Sequence, residues 1–352
     1  MIDHGLICAF VERWHEETSS FHLPFGEMTV TLDDVAYLLH LPIDGMFLSH
    51  GFISRDQAME WIELYLGSDP VDALLEVTKT KGAYCRFGYL QRIFKDRLKE
   101  QLALDIEYGG VTEENVVDVV YHMYFRDLDL VAGYSWGAAA LAHLYRELNN
   151  ATRWNCSQVA GYLTLLQAWV YQHFQGMGSK DAWVGYWEDW YPRAMLFLPL
   201  SGLGTPDNYI NHLDALDLTR VVMAPYGEHC ATSQFERVSL YSGWIRYGDR
   251  MVRYLPERVL RQFGRVQTIP RHPVESAPPD LNLAEISNRF QRALDYALTP
   301  EKLGQCAVHC VEAEGGYIEW FYHHSHPHMI LPDMPVQVSR PLEHEVLDAR
   351  AA

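Results

Sequence analysis

The sequence predicts a mainly α-helical fold with small β hairpins, an α+β arrangement in a single large helical domain. Three observations predict it. Capped segments with apolar residues at helical spacing recur along the chain, strand signals are few and flank tight turns, and no strand-helix-strand alternation repeats.

The elements follow in order. A helix ends near Trp14, and Phe21 to Leu32 alternates Phe21, Leu23, Phe25 and then Met28, Val30, Leu32 around a Pro24 to Gly26 turn, which predicts a hairpin. Thr31, with Asp34 three residues on, caps a helix that Pro42 closes. Ser54 opens a helix with Ala58, Trp61, Ile62, Tyr65 and Leu66 on one face and Gly67 as its stop. Helices are predicted at 88–103, where Leu90, Ile93, Phe94 and Leu98 share a core-facing side, and at 112–127, opened by Thr112. Ser135 and Ser157 are candidate caps for two more, the second running through the apolar stretch Val159 to Phe174. Ala182 to Phe197 places Trp183, Trp187 and Trp190 at helical spacing, a pattern that reads as core. A second hairpin spans Trp244 to Tyr254 with Gly248 and Asp249 at its turn, then Pro256 enters a short helix that Gly264 closes. Prolines 270, 273, 278 and 279 mark 269–280 as a surface linker before a helical segment at 281–297. The domain is taken as 1–332, with 333–352 as a C-terminal tail.

Composition narrows the function. With 352 residues, 48% of them hydrophobic, the chain can bury a sizeable core. The balance of 46 acidic against 28 basic residues, a net charge of -18, repels phosphate backbones and anionic membranes, so any nucleic-acid contact must be local. Cysteines at 8, 85, 156, 230, 306 and 310 are too sparse for a disulfide framework and suit a reducing compartment. No signal peptide, membrane anchor or basic localisation run is visible.

The segment Glu12 to Gly45, ERWHEETSSFHLPFGEMTVTLDDVAYLLHLPIDG, resembles the signature that opens the plant mobile domain, the maintenance-of-meristems family. Leu255 to Pro270 (LPERVLRQFGRVQTIP) and Tyr317 to Met329 (YIEWFYHHSHPHM) look like the same family, so the resemblance covers nearly the whole chain. Its members occur as stand-alone plant proteins, fused to phosphatase-like domains and inside transposable elements. The resemblance implies a nuclear protein acting in meristem maintenance, genome stability and transposon silencing, with a phosphatase-like or second mobile domain protein as partner.

The family label "aminotransferase-like" implies an enzyme, which the residues do not favour. A pyridoxal phosphate enzyme needs a lysine in an apolar setting with an acidic partner and a phosphate cradle, and lysines 79, 81, 95, 99, 180 and 302 show no such context. A metallophosphatase needs clustered Asp, His and Asn ligands, and only Gly248 and Asp249 resemble such a block, inside a hairpin turn. The Gly-x-Gly at 202–204 precedes Pro206 and is no phosphate loop. No catalytic constellation and no cofactor site is read from the chain.

Two candidate sites remain. Cys306, Cys310, His323 and His328 follow C-x3-C-x12-H-x4-H, a spacing that could hold zinc; the plainer reading is two core cysteines and a histidine-rich loop. Arg246, Arg250, Arg253, Arg258, Arg261, Arg265 and Arg271 form a basic run whose acids are only Asp249 and Glu257. With Arg258, Arg261 and Arg265 on one side of a helix, this run could bind nucleic acid or a partner's carboxylates; the plainer reading pairs them with the chain's own acids. His22, Glu27 and Asp33 are read as structural, on a hairpin's polar face and in a helix's first turn.

Overall fold

The computed structural model describes residues 2–102, 116–153, 159–177, 191–197, 204–226, 235–309 and 311–329. It is mainly α-helical with small antiparallel sheets, as the sequence predicts.

The chain opens with α1 (His4–Val11), capped by Asp3, whose side chain accepts from Leu6 N. Six of its eight residues are buried, so it is apolar all round and lies inside the fold. Strands β1 (Trp14–His15), β2 (Ser20–Leu23) and β3 (Gly26–Met28) form an antiparallel sheet in that order, with Phe21 opposite both Trp14 and Met28. The hairpin turns on Pro24 and Phe25 as predicted, but β2 and β3 are buried on both faces, so the alternation hides a polar row inside the protein. Helix α2 (Leu32–Leu39) begins at the predicted capping box of Thr31 and Asp34 and ends at His40 in a left-handed conformation.

A satellite unit follows. It contains α3 (Arg55–Leu66), with the predicted Ser54 cap and Gly67 stop, then α4 (Pro70–Lys79), β4 (Tyr84–Arg86), α5 (Phe87–Leu102), β5 (Val116–Asp118) and α6 (His122–Phe125). Ala58, Ile62, Ala73, Val77, Cys85, Tyr89, Val119 and Val120 make its own apolar centre. The continuous helix expected over 112–127 is absent from its described part. Val116 to Asp118 instead pairs with β4, Cys85 opposite Val117, because a β-branched run beside a waiting strand edge gains ladder hydrogen bonds. Leu90, Ile93 and Leu98 of α5 are only half-buried and Phe94 is exposed, so the predicted core-facing side reaches water.

Helices α7 (Trp136–Ala151) and α8 (Leu163–His173) carry the main core. Ser135 precedes α7 without capping it: its hydroxyl donates to Ile43 O at 2.8 Å and ties the loop after α2 to the helix start. The expected cap Ser157 and the tryptophans 183, 187 and 190 lie outside the described residues. Phe10, Phe21, Trp169 and Phe174 meet edge-on and stacked at 5.3 to 6.0 Å, joining α1, β2 and α8 in one aromatic centre. Helix α9 (Pro206–Asp214) packs on α1, and the hairpin β6 (Gly243–Tyr247) and β7 (Arg250–Tyr254) packs on α7.

The segment after that hairpin is two 3-10 turns, Pro256–Arg258 and Leu260–Phe263, closed by Gly264 at a φ of 67°. Residues 269–280 include α10 (Pro273–Ser276) and are held in place: Ser276 and Ala277 are buried and Trp244 Nε1 donates to Pro278 O at 2.7 Å. Helices α11 (Leu283–Gln291), α12 (Ala293–Tyr296), α13 (Pro300–Leu303) and α14 (Tyr317–His324) complete the described chain. No described helix is long and apolar enough to cross a membrane.

Candidate functional site

The three stretches that stand out in the sequence, 12–45, 255–270 and 317–329, converge on one buried polar junction. At its centre the Glu27 carboxylate accepts two hydrogen bonds from Arg258, from Nε and Nη2 at 2.6 Å each, and a third from Ser20 Oγ at 2.7 Å. The planar guanidinium matches the carboxylate atom for atom, and its other contact is the Trp320 ring at 5.7 Å. Arg261 lies beside it, 1% exposed, between the rings of Phe25 and Tyr317 at 5.9 and 5.6 Å, and donates to Phe25 O at 3.0 Å. Gly26 is required here: its φ is 128°, and a β-carbon would collide with the Arg261 guanidinium and the Tyr317 hydroxyl. The Gln262 amide accepts from Thr29 N at 2.9 Å and donates to Thr29 O at 2.8 Å, so a side chain continues the ladder where β3 ends. Tyr322 donates to Pro24 O at 2.7 Å, and Arg13 reaches Pro327 O at 2.7 Å while ion-pairing with Asp214.

Histidines line one side. His15 and His22 stack at 3.6 Å, with His326 6.4 Å from His15. Burial holds His15 down at about 4 and holds His22 well below the ordinary histidine value, with neighbouring positive charge adding to the effect on His22.

A second buried cluster sits at the start of α2. Asp34 accepts from Thr31 N and Oγ1 at 2.7 Å each, and its other oxygen faces His173 Nε2 at 2.9 Å and the Tyr226 hydroxyl at 2.7 Å. Beside it Asp33 is pushed up to about 8 by burial first and by Asp34 and Glu236 next. Perturbed acids mark active sites when they face a cleft, but these carboxylates are enclosed by packed protein. Two cavities lie elsewhere and include none of these residues: one of about 530 Å³ along α3 and α5, and one of about 330 Å³ between α7 and the end of β6.

The predicted basic surface is therefore corrected. Arg258 and Arg261 are 6% and 1% exposed because the 3-10 turns aim them inward at Glu27 and Phe25 rather than along one helix face. Arg246 is buried and donates to Leu283 O at 3.1 Å; Arg271 pairs with Glu257 at 3.1 Å. Arg253 lies over Trp244 at 5.1 Å and reaches Glu17 O, and Arg265 donates to Cys306 Sγ at 3.0 Å. Arg250 is exposed and pairs with its neighbour Asp249. His22 and Glu27, read as structural on the hairpin's polar face, and Asp33, read as structural in the first turn of a helix, are all buried.

Of the metal candidates, Cys306 and His323 are exposed, His328 stacks on Tyr322 at 6.3 Å, and Cys310 lies outside the described residues. Among the described residues no three His, Cys, Asp or Glu side chains come together as a metal site. None of the described lysines is buried.

A family model described as "Plant mobile domain" matches residues 1–322, and the chain belongs to that family. Among curated proteins it is 31% identical to "Protein MAIN-LIKE 1" of Arabidopsis thaliana over 91% of this chain and 66% of that protein. It is 30% identical to "Protein MAINTENANCE OF MERISTEMS" of the same plant, over 91% of this chain and 69% of the relative. A third relative, "Serine/threonine-protein phosphatase 7 long form homolog", is 31% identical over 76% of this chain but only 22% of its own length. The chain thus spans about two thirds or less of most of the relatives it matches. No solved structure matches it.

Proposed function

We propose that this chain is a non-enzymatic interaction protein of the nucleus that binds a phosphatase-like or second mobile domain protein and through it serves meristem maintenance, genome stability and transposon silencing. The observation that carries this reading is the outward face of α4. Val71, Leu74 and Leu75, at i, i+3 and i+4, are 64%, 50% and 53% exposed, while Ala73 and Val77 fill the core behind them. An apolar stripe left in water on a helix that is already packed on its other side marks a protein-binding surface. Exposed Leu64 and Phe52 in the same unit extend its apolar character. The motif segments support the reading from the opposite direction, since their central charges are consumed internally: Glu27 and Arg258 pair with each other.

The test is direct binding of the purified chain to the phosphatase 7 long form homolog. The wild type is expected to bind, and Leu74→Glu/Leu75→Glu to weaken binding by about tenfold or more, as loss of buried apolar anchors does. Absence of binding by a folded wild type both to that homolog and to a second plant mobile domain protein, or equal binding by the double variant, ends this reading.

A further inference from the structure

The 330 Å³ cavity has a composition of its own. One face of α7 supplies Trp136, Ala139, Ala140 and His143, at i, i+3, i+4 and i+7, with the two alanines between the large rings opening space that longer side chains would fill. Tyr247, the last residue of β6, closes one side and hydrogen-bonds through its hydroxyl to Tyr121, whose ring lies 6.3 Å away at 23°. His143 stands 5.7 Å from Tyr247, Tyr162 contributes from the start of α8, and Leu41, Leu48 and Gly161 complete the lining. Phe125 stacks on Trp136 at 5.3 Å and holds that indole in place.

Four aromatic rings and an imidazole thus surround a space at the small end of ligand pockets, which run from about 300 Å³ upward. Aromatic faces carry the negative lobe of a quadrupole and attract soft cations. Among the described residues no lysine or arginine lines the cavity to compete for those faces. Burial keeps the His143 ring below its ordinary value, so at neutral pH it adds a π face without a charge. Asp118 acts electrostatically on Tyr121 and Tyr247, and Glu147 acts on His143, against the single cation Arg146 near the same histidine. Arg246 acts on His50 and Tyr124 behind Tyr121 and Tyr247, so the charges near the lining are mixed, and it is the net charge of -18 that favours cations at long range. A bare ammonium would lose too much hydration in so apolar a lining, whereas methyl groups spread the charge and reduce that cost.

We propose that this cavity binds a methylated ammonium group carried on a flexible apolar stem, held against Tyr121, Trp136, Tyr162 and Tyr247. The site is separate from the α4 surface and stands or falls independently of it.

Calorimetric titration of the full chain with three probes tests the assignment: N-acetyl-trimethyllysine methylamide, choline, and 3,3-dimethylbutanol, the uncharged carbon isostere of choline. The cations are expected to bind at least about tenfold more tightly than the isostere, the difference a desolvated cation-π contact makes. Preference for the trimethyllysine probe assigns the site to a modified side chain, and equal or better binding of choline assigns it to a small quaternary amine; either supports the proposal. Tyr162 is 37% exposed, so Tyr162→Ala leaves the core intact and should weaken binding about tenfold while Tyr162→Phe retains it. Ala140→Leu, which fills the cavity and removes no ring, should abolish binding. Equal affinity for the isostere, no binding of either cation to the folded chain, or unchanged affinity in both Tyr162→Ala and Ala140→Leu overturns it.

Discussion

Arg258 takes its role from a partner 231 residues away, which is why a charge run in the sequence could not disclose it. Local inspection sees an arginine among arginines and expects a positive surface; the fold supplies Glu27, Ser20 and Trp320 and turns the same residue into the centre of a buried polar junction. The plainer alternative weighed for that run, pairing with the chain's own acids, describes Arg258, Arg250 and Arg271. The energetic consequence is asymmetric, because removing one charge leaves the other buried without compensation, whereas removing both leaves no unpaired buried charge. Arg258→Met alone should destabilise by about 3–5 kcal/mol, and Glu27→Met/Arg258→Met should recover most of that loss. Urea unfolding of Arg258→Met, Glu27→Met and the double variant measures the coupling; additive losses would show that the pair is not the unit described.

Helices and hairpins were legible wherever a cap or turn residue acted locally. Thr31 with Asp34, Ser54 with Gly67, and the Gly248 turn all stand where the sequence places them. Elements failed where a distant partner outbid the local signal: Val116 to Asp118 left a helical pattern to pair with β4, and Ser135 gave its hydroxyl to Ile43 instead of its own helix. The region 256–264 became 3-10 turns whose Arg258, Arg261 and Gln262 side chains each bond to the β2-β3 hairpin, a geometry that a single α-helix would not offer. Because Thr31 both caps α2 and anchors Asp34, Thr31→Ala should cost about 1–2 kcal/mol, and Thr31→Ser, which keeps the hydroxyl, well under 1 kcal/mol. Thermal unfolding of the two variants separates cap loss from loss of the methyl group, and equal destabilisation by both would refute the capping account.

At the scale of the molecule, the two buried polar clusters give opposite pH dependences that meet near neutrality. The histidines held down by burial, His15 at about 4 and His22 well below the ordinary histidine value, prefer to be neutral in the folded state, so stability falls as pH drops through the ordinary histidine range and the unfolded chain takes up their protons. Asp33 has the reverse sign. Its folded value of about 8 lies above the unfolded carboxylate range, so the native state holds a proton that the unfolded state has released, and stability falls as pH rises from about 4 to about 8. Between about 4 and 7.5 the two effects oppose each other; above about 7.5 the histidines are neutral in both states and, of the two clusters, only Asp33 still titrates. Chemical unfolding at pH 6.5 and pH 8 should therefore show the wild type losing about 1–2 kcal/mol across that interval relative to a variant that lacks this group. Asp33→Asn, which keeps the shape and cannot ionise, should flatten the decline, so that the variant gains on the wild type as pH rises. A parallel decline in both proteins would place the proton elsewhere and remove Asp33 from the account.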